Sequence, residues 1–156
     1  MTDTFLREQV AHFLKGGQAH MTFTDAVKDF PKSHMNDIFP NGEYTFWHLL
    51  EHIRFTQKDI LNFMIDSGYE EPAWPTDYWP KKDAKATEKD WKFTIADYEK
   101  DLMSLITLVQ DTKIDLSAKV PKGTGPKYLK ELLMVADHTS YHLGEFGIMR
   151  QVLKLW

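Results

Sequence analysis

Cysteine is absent from the 156-residue chain. No disulfide can staple the fold, and neither a thiolate nucleophile nor a sulfur-ligated metal is open to it. Charge of one sign is also scarce: 19 basic and 23 acidic residues leave a formal net charge of −4. No run of Lys and Arg is long enough to track a phosphate backbone, which argues against a nucleic-acid partner. Long apolar runs are missing too. Nothing approaches the roughly 20 apolar residues of a spanning helix. The opening MTDTFLREQVAHFL puts acidic and polar residues where a secretory signal needs a basic flank and an apolar stretch. No membrane association is expected, and the cytoplasm is the expected location. Internal repeats, low-complexity tracts and alternating apolar patterns are likewise absent, which removes the signatures of solenoids and sheets.

What the chain does have is helical periodicity and large rings, with 42% hydrophobic and 13% aromatic residues. Its length suits one domain, residues 1–156, able to bury a proper core. Phe5, Leu6, Val10, Phe13 and Leu14 predict a first helix over 2–15, stopped at Gly16-Gly17. Thr22 or Thr24 can cap a short helix that ends before Pro31, and Pro31 to Gly42 reads as loop. A second long helix is predicted from about Glu43 to Ser67. The connection YEEPAWPTDYWPKKDA, residues 69–84, has no helical period but carries three prolines and four aromatic rings. A third helix is predicted from about Thr87 to Gln110. After a connection containing Pro121, Gly123 and Gly125, Pro126 suits the first turn of a last helix running to about Leu155. The fold class is therefore all-α: a four-helix bundle whose long connection after the second helix allows a crossover.

The segment HTSYHLGEF, beginning at His138, sets two histidines four residues apart on the last helix. At about 100° per residue, Tyr128, Leu132, Val135, Phe146, Met149 and Leu153 share one broad arc. His142 falls inside that arc and His138 at its edge. Residues so spaced stand about 6 Å apart at Cβ, close enough for two imidazoles to share one ion. On the second helix Phe46, Leu49, Leu50, Ile53, Ile60 and Met64 define the inward face, with His52 on its shoulder and His48 further out. One histidine from the second helix and two from the last make a three-histidine site with coordination positions to spare, the arrangement of a catalytic metal. Thr139 follows His138 where a HExxH motif would place its glutamate, so that mechanism does not apply. Incidental histidines on a helix face are the alternative reading.

HTSYHLGEFGIMRQVL resembles the closing helix of the DinB-like (DinB/YfiT) proteins, whose pattern there is His, three residues, His-Leu-Gly-Gln, then a short gap and an Arg. His138, His142, Leu143, Gly144 and Arg150 stand in those places. FWHLLEHIRFTQKDIL resembles the family's second helix, with His52 at the metal-histidine position. GGQAHMTFTDAVKDFP is similar to one branch of the family. The resemblance implies a bundle with a crossover after the second helix, a divalent metal, often zinc or nickel, on His52, His138 and His142, and a homodimer. It also suggests thiol chemistry, since relatives in the wider superfamily include thiol S-transferases and a thiol-dependent isomerase. Glu145 departs from the pattern, standing where the family often has Gln.

Glu145 lies beside the two histidines on the wheel. It can accept a histidine N–H, act as a base, or be a solvated helix residue. His48 is a partner for the site, a proton carrier or a surface histidine. Tyr141 and Tyr44 reach the mouth of the site or simply pack. Arg150 sits in the apolar arc and needs an acidic partner, or else binds an anion. Tyr78, Trp74 and Trp79 roof the cavity or cover the bundle end. Three functions fit: a metal-dependent hydrolase or thiol S-transferase acting on a small molecule, a low-molecular-weight thiol among the choices; a non-catalytic metal-binding or sensing bundle; or a helical interaction module.

Overall fold

The computed structural model describes residues 3–121 and 125–156; Thr2 and Gly123, which fall in the expected first helix and last connection, lie outside the described residues. α1 (Asp3–Lys15) stops at Gly16 and Gly17, whose φ angles of 70° and 80° suit glycine. The next three helices, α2 (Phe23–Val27), α3 (Phe46–Ile65) and α4 (Glu88–Gln110), begin at one device. Thr22, Thr45 and Thr87 each accept the N–H of the residue three positions on, and the side chain there, Asp25, His48 or Asp90, accepts the threonine's own N–H. Such caps are worth about 1 kcal/mol each and fix where a helix starts. That is why α3 begins later than its apolar period suggests: Thr45 is the cap and pairs with Ile38 in an isolated bridge. α5 (Tyr128–Val152) likewise starts after Pro126, because Lys127 pairs with Lys119 and the Pro126 carbonyl accepts from Val120 N–H. It ends before Leu155, where Lys154 takes a φ of 56° and the chain hooks back, Leu155 N–H bonding to the Arg150 carbonyl.

The direction of packing follows from side-chain pairs. Trp47 bonds to Thr94, Arg54 to Asp97 and Gln57 to the Tyr98 carbonyl, so α3 and α4 advance together and are parallel. Tyr44 meets Glu145 and His52 meets His138, so α3 and α5 are antiparallel. α1 packs on α4 and α5. Parallel neighbours cannot be joined by a tight turn, so the chain between Ile65 and Glu88 has to return the length of α3. It does so as a strap laid against that helix: Tyr69 reaches Asp59, Tyr78 reaches both Asp59 and His52, and Ala84 reaches His48. The expected crossover is thus present, and it carries its aromatic residues back past the middle of α3.

Two apolar clusters fill the bundle. One gathers Val10, Leu14, Met64, Leu105, Val109 and Leu132; the other gathers Phe30, Phe46, Leu49, Trp91, Leu143 and Phe146. Between them lies a polar layer. On α3 it spans His52, Thr56 and Gln57, and on α5 His138, Thr139 and His142, all outside both clusters. Burying polar groups at mid-bundle costs stability unless each finds a partner.

Candidate metal centre

Three imidazoles meet in that layer. His52 comes from α3 and is 1% exposed; His138 and His142 come from successive turns of α5. Ring centroids are 4.8 Å apart for His52–His138, 4.7 Å for His52–His142 and 4.5 Å for His138–His142. One ring nitrogen from each lies within 4.8 Å of the others. The Nε2 atoms of His52 and His138 are 3.0 Å apart, close to the roughly 3.3 Å separating two nitrogens held tetrahedrally on one ion at 2.0–2.1 Å.

Hydrogen bonds fix which nitrogens face inward. His52 Nδ1 lies 2.9 Å from the Tyr78 carbonyl oxygen. A carbonyl only accepts, so Nδ1 carries the proton and Nε2 keeps a lone pair. His142 Nδ1 lies 2.5 Å from Glu145 Oε2, and a carboxylate again assigns the proton to Nδ1. Burial pushes the His52 imidazole down to about 4, with His142 adding to the fall and the Tyr78 bond and Glu145 opposing it. Burial, then His142 and His52, push His138 down to about 3. Both rings are neutral at ordinary pH, the form that ligates metals. Three imidazoles at this spacing, with His52 and His142 each turning the protonated Nδ1 away to an acceptor, fit a divalent cation.

The surroundings come from the strap and from α5. Trp79 stacks on His52 with centroids 3.9 Å apart and planes 8° apart, and it meets His142 edge-on. The second carboxylate oxygen of Glu145 accepts from the Tyr44 hydroxyl at 3.2 Å. Burial and Glu145 push Tyr44 up to about 12, so the phenol remains a donor. Tyr141 is exposed, its ring edge against His142. Trp74 is exposed and touches Tyr78 rather than the histidines.

Two candidates sit elsewhere. His48 is buried, not on the surface: it closes the N-terminal box of α3 and holds the strap through the Ala84 carbonyl at 2.9 Å. Arg150 has carbonyls as partners rather than the expected carboxylate. Its guanidinium donates to Ala26 and Lys28 at the end of α2 and to Leu155, and it stacks on Trp156. Open carbonyls at a helix end attract a cation as an anion would. The sequence reading did not single out Asp59, which accepts from the Tyr69 and Tyr78 hydroxyls. Its only signal was a carboxylate seven residues after His52, on the same face of α3.

An all-helical bundle with three convergent histidines at mid-height can hold a metal ion. The chain belongs to the DinB superfamily, whose family model matches residues 17–146, a span containing all three histidines and Glu145. No curated protein and no solved structure matches it.

Proposed function

We propose that this protein is a metal-dependent enzyme in which His52, His138 and His142 hold one divalent cation, zinc or nickel, for hydrolysis or thiol transfer on a small molecule. The observation that carries this reading is the convergence of three imidazoles from two helices in a polar layer. When bound, the cation supplies Lewis acidity and lowers the pKa of a weak acid brought to it. The chain's own groups then have defined tasks. Glu145 holds His142 in one tautomer, and its carboxylate is the base nearest the rings. Trp79 keeps water from one face of His52. A cleft of about 590 Å³, lined by Tyr44, His48, Trp79, Lys81 and Lys82 among others, adjoins these residues and admits a small molecule. Lys81 and Lys82 outweigh Glu43 on its wall, which favours an anionic one.

Metal content by mass spectrometry on untagged protein tests the site. Near one ion per chain is expected in wild type and much less in His52→Ala, His138→Ala and His142→Ala. No metal in wild type after dialysis against zinc, nickel and manganese would remove the enzyme reading. We also place a second copy of the chain on the outer face of α5, where Tyr141, Ile148 and Val152 stand exposed. The family resemblance supports this homodimer. Light scattering during size exclusion checks it against the 18.3 kDa of one chain.

A further inference from the structure

We infer that Asp59 is a positioning residue for the metal centre, acting through Tyr78, which spans from Asp59 to His52 along α3. This inference rests on the three-histidine reading above and adds to it a group that touches none of the ligands' nitrogens.

His52 and Asp59 are seven residues apart on α3, which is close to two turns. Both therefore project from one face, separated by a rise of about 10 Å. One residue of the strap bridges them. The Tyr78 carbonyl accepts the His52 Nδ1 proton at 2.9 Å, and its hydroxyl donates to Asp59 Oδ2 at 2.7 Å. Tyr78 is thus pinned at both ends to the same helix. Tyr69 donates to the other Asp59 oxygen at 2.9 Å, so the carboxylate grips the strap at two points nine residues apart.

Around Tyr78 the strap is otherwise held by ring packing, Tyr78 on Phe55 and Trp79 on His52 and Tyr44, which does not fix its height as a hydrogen bond does. Between Ile65 and Glu88 its one helical element is the short turn Thr76–Tyr78, and the neighbouring residues Trp74, Pro75, Thr76 and Asp77 are exposed. Asp59 and Tyr78 are themselves buried. Two phenol–carboxylate bonds in a buried setting are stronger than neutral ones. They fix the height of Tyr78 against α3, and with it the carbonyl that sets the tautomer of His52. They also fix Trp79, the next residue, whose ring covers His52. Without the anchor, His52 loses the constraint that aims Nε2 at His138 and His142. The effect expected of such an outer partner is a 10- to 100-fold loss of metal affinity.

Tyr78→Phe, Asp59→Asn and Tyr69→Phe test the chain of contacts. Tyr78→Phe keeps the carbonyl and the ring and removes only the bond to Asp59. Three readouts apply: zinc affinity by chelator competition, the visible absorption of cobalt-loaded protein, and the His52 Nδ1–H resonance of metal-free protein. Circular dichroism monitors the fold. Tyr78→Phe and Asp59→Asn should weaken zinc by at least about tenfold, alter the cobalt spectrum and hasten exchange of the His52 Nδ1–H. Tyr69→Phe, which leaves Tyr78 anchored, should do each to a smaller degree. A purely structural role would lower the unfolding midpoint but leave the cobalt spectrum and the Nδ1–H unchanged, and that result overturns the inference. A wild type that takes up no metal removes the metal reading separately; the Nδ1–H resonance still decides whether Asp59 positions His52.

Discussion

Glu145 and His142 stand one helical turn apart on α5, with Oε2 of the first 2.5 Å from Nδ1 of the second. The bond leaves Nε2 facing His52 and His138. Because Oε1 accepts from Tyr44 as well, the carboxylate ties α5 to the segment that leads into α3. Glu145→Ala removes the acceptor and should weaken zinc binding by about 10- to 100-fold. Glu145→Gln keeps an acceptor oxygen for the Nδ1 proton and loses only the charge, so its loss should be smaller. Chelator competition ranks the three proteins. Equal affinity in all would mean that packing alone orients His142.

Zinc uptake should release little acid. The folded protein holds His52 at about 4 and His138 at about 3, both below the ordinary imidazole value. At pH 7 the incoming ion meets two rings that are already neutral and displaces no proton from either. Calorimetry in buffers of different ionisation enthalpy reads the number released, expected to be below about one per ion. The same depression has a cost in acid. A group with a lowered folded value contributes stability above its unfolded value and loses it as pH falls toward the folded one. The unfolded chain takes protons below about pH 6.5 that the folded rings refuse. The metal-free protein should therefore lose stability as pH falls from about 6.5 to about 3.

The three histidines were legible because each sits on a long, regular helix, where a wheel gives direction. Glu145 was legible for the same reason, three residues from His142. Tyr78 was not, since its part in the site is a carbonyl and every residue has one. Only the path of the crossover strap decides which carbonyl meets His52, and loop paths carry no periodicity. Arg150 misled because an inward arginine in an apolar arc suggests a carboxylate, whereas here the hook at Leu155 and the end of α2 provide carbonyls. His48 misled because the wheel turns it outward, while the returning strap covers it.

Asp101 on α4 is buried, and its Oδ2 has no hydrogen-bond partner among the described residues. Burial and then Asp97 push its carboxyl above the usual range, against the attraction of Lys58, Lys100 and Arg54. With a raised folded value, the native state binds the proton more readily than the unfolded chain. Stability from this group is present in acid and lost as pH rises through the raised value. Asp101→Asn removes the charge while keeping the shape. It should stabilise the protein at pH 7 by about 1 kcal/mol and flatten its pH dependence on the acid side. Denaturant titrations at pH 5 and 7 compare the two chains; destabilisation at pH 7 would show that the cations outweigh burial.

Trp79 gives the site an optical reporter. Its indole lies flat on His52 at 3.9 Å, and the other four tryptophans are Trp47, Trp74, Trp91 and Trp156. Of these, Trp91 packs within the second apolar cluster, Trp156 lies on Arg150, and Trp47 bonds to Thr94. A cobalt or nickel ion held by His52 would quench the emission of the indole stacked on that ring, while zinc would change it without paramagnetic loss. Titration with cobalt should therefore lower tryptophan fluorescence saturably, with the end point near one ion per chain. Trp79→Phe keeps a ring over His52 and removes the reporter. That variant should still bind cobalt but lose most of the quenching. Full quenching in Trp79→Phe would place the ion near another tryptophan and away from the three histidines.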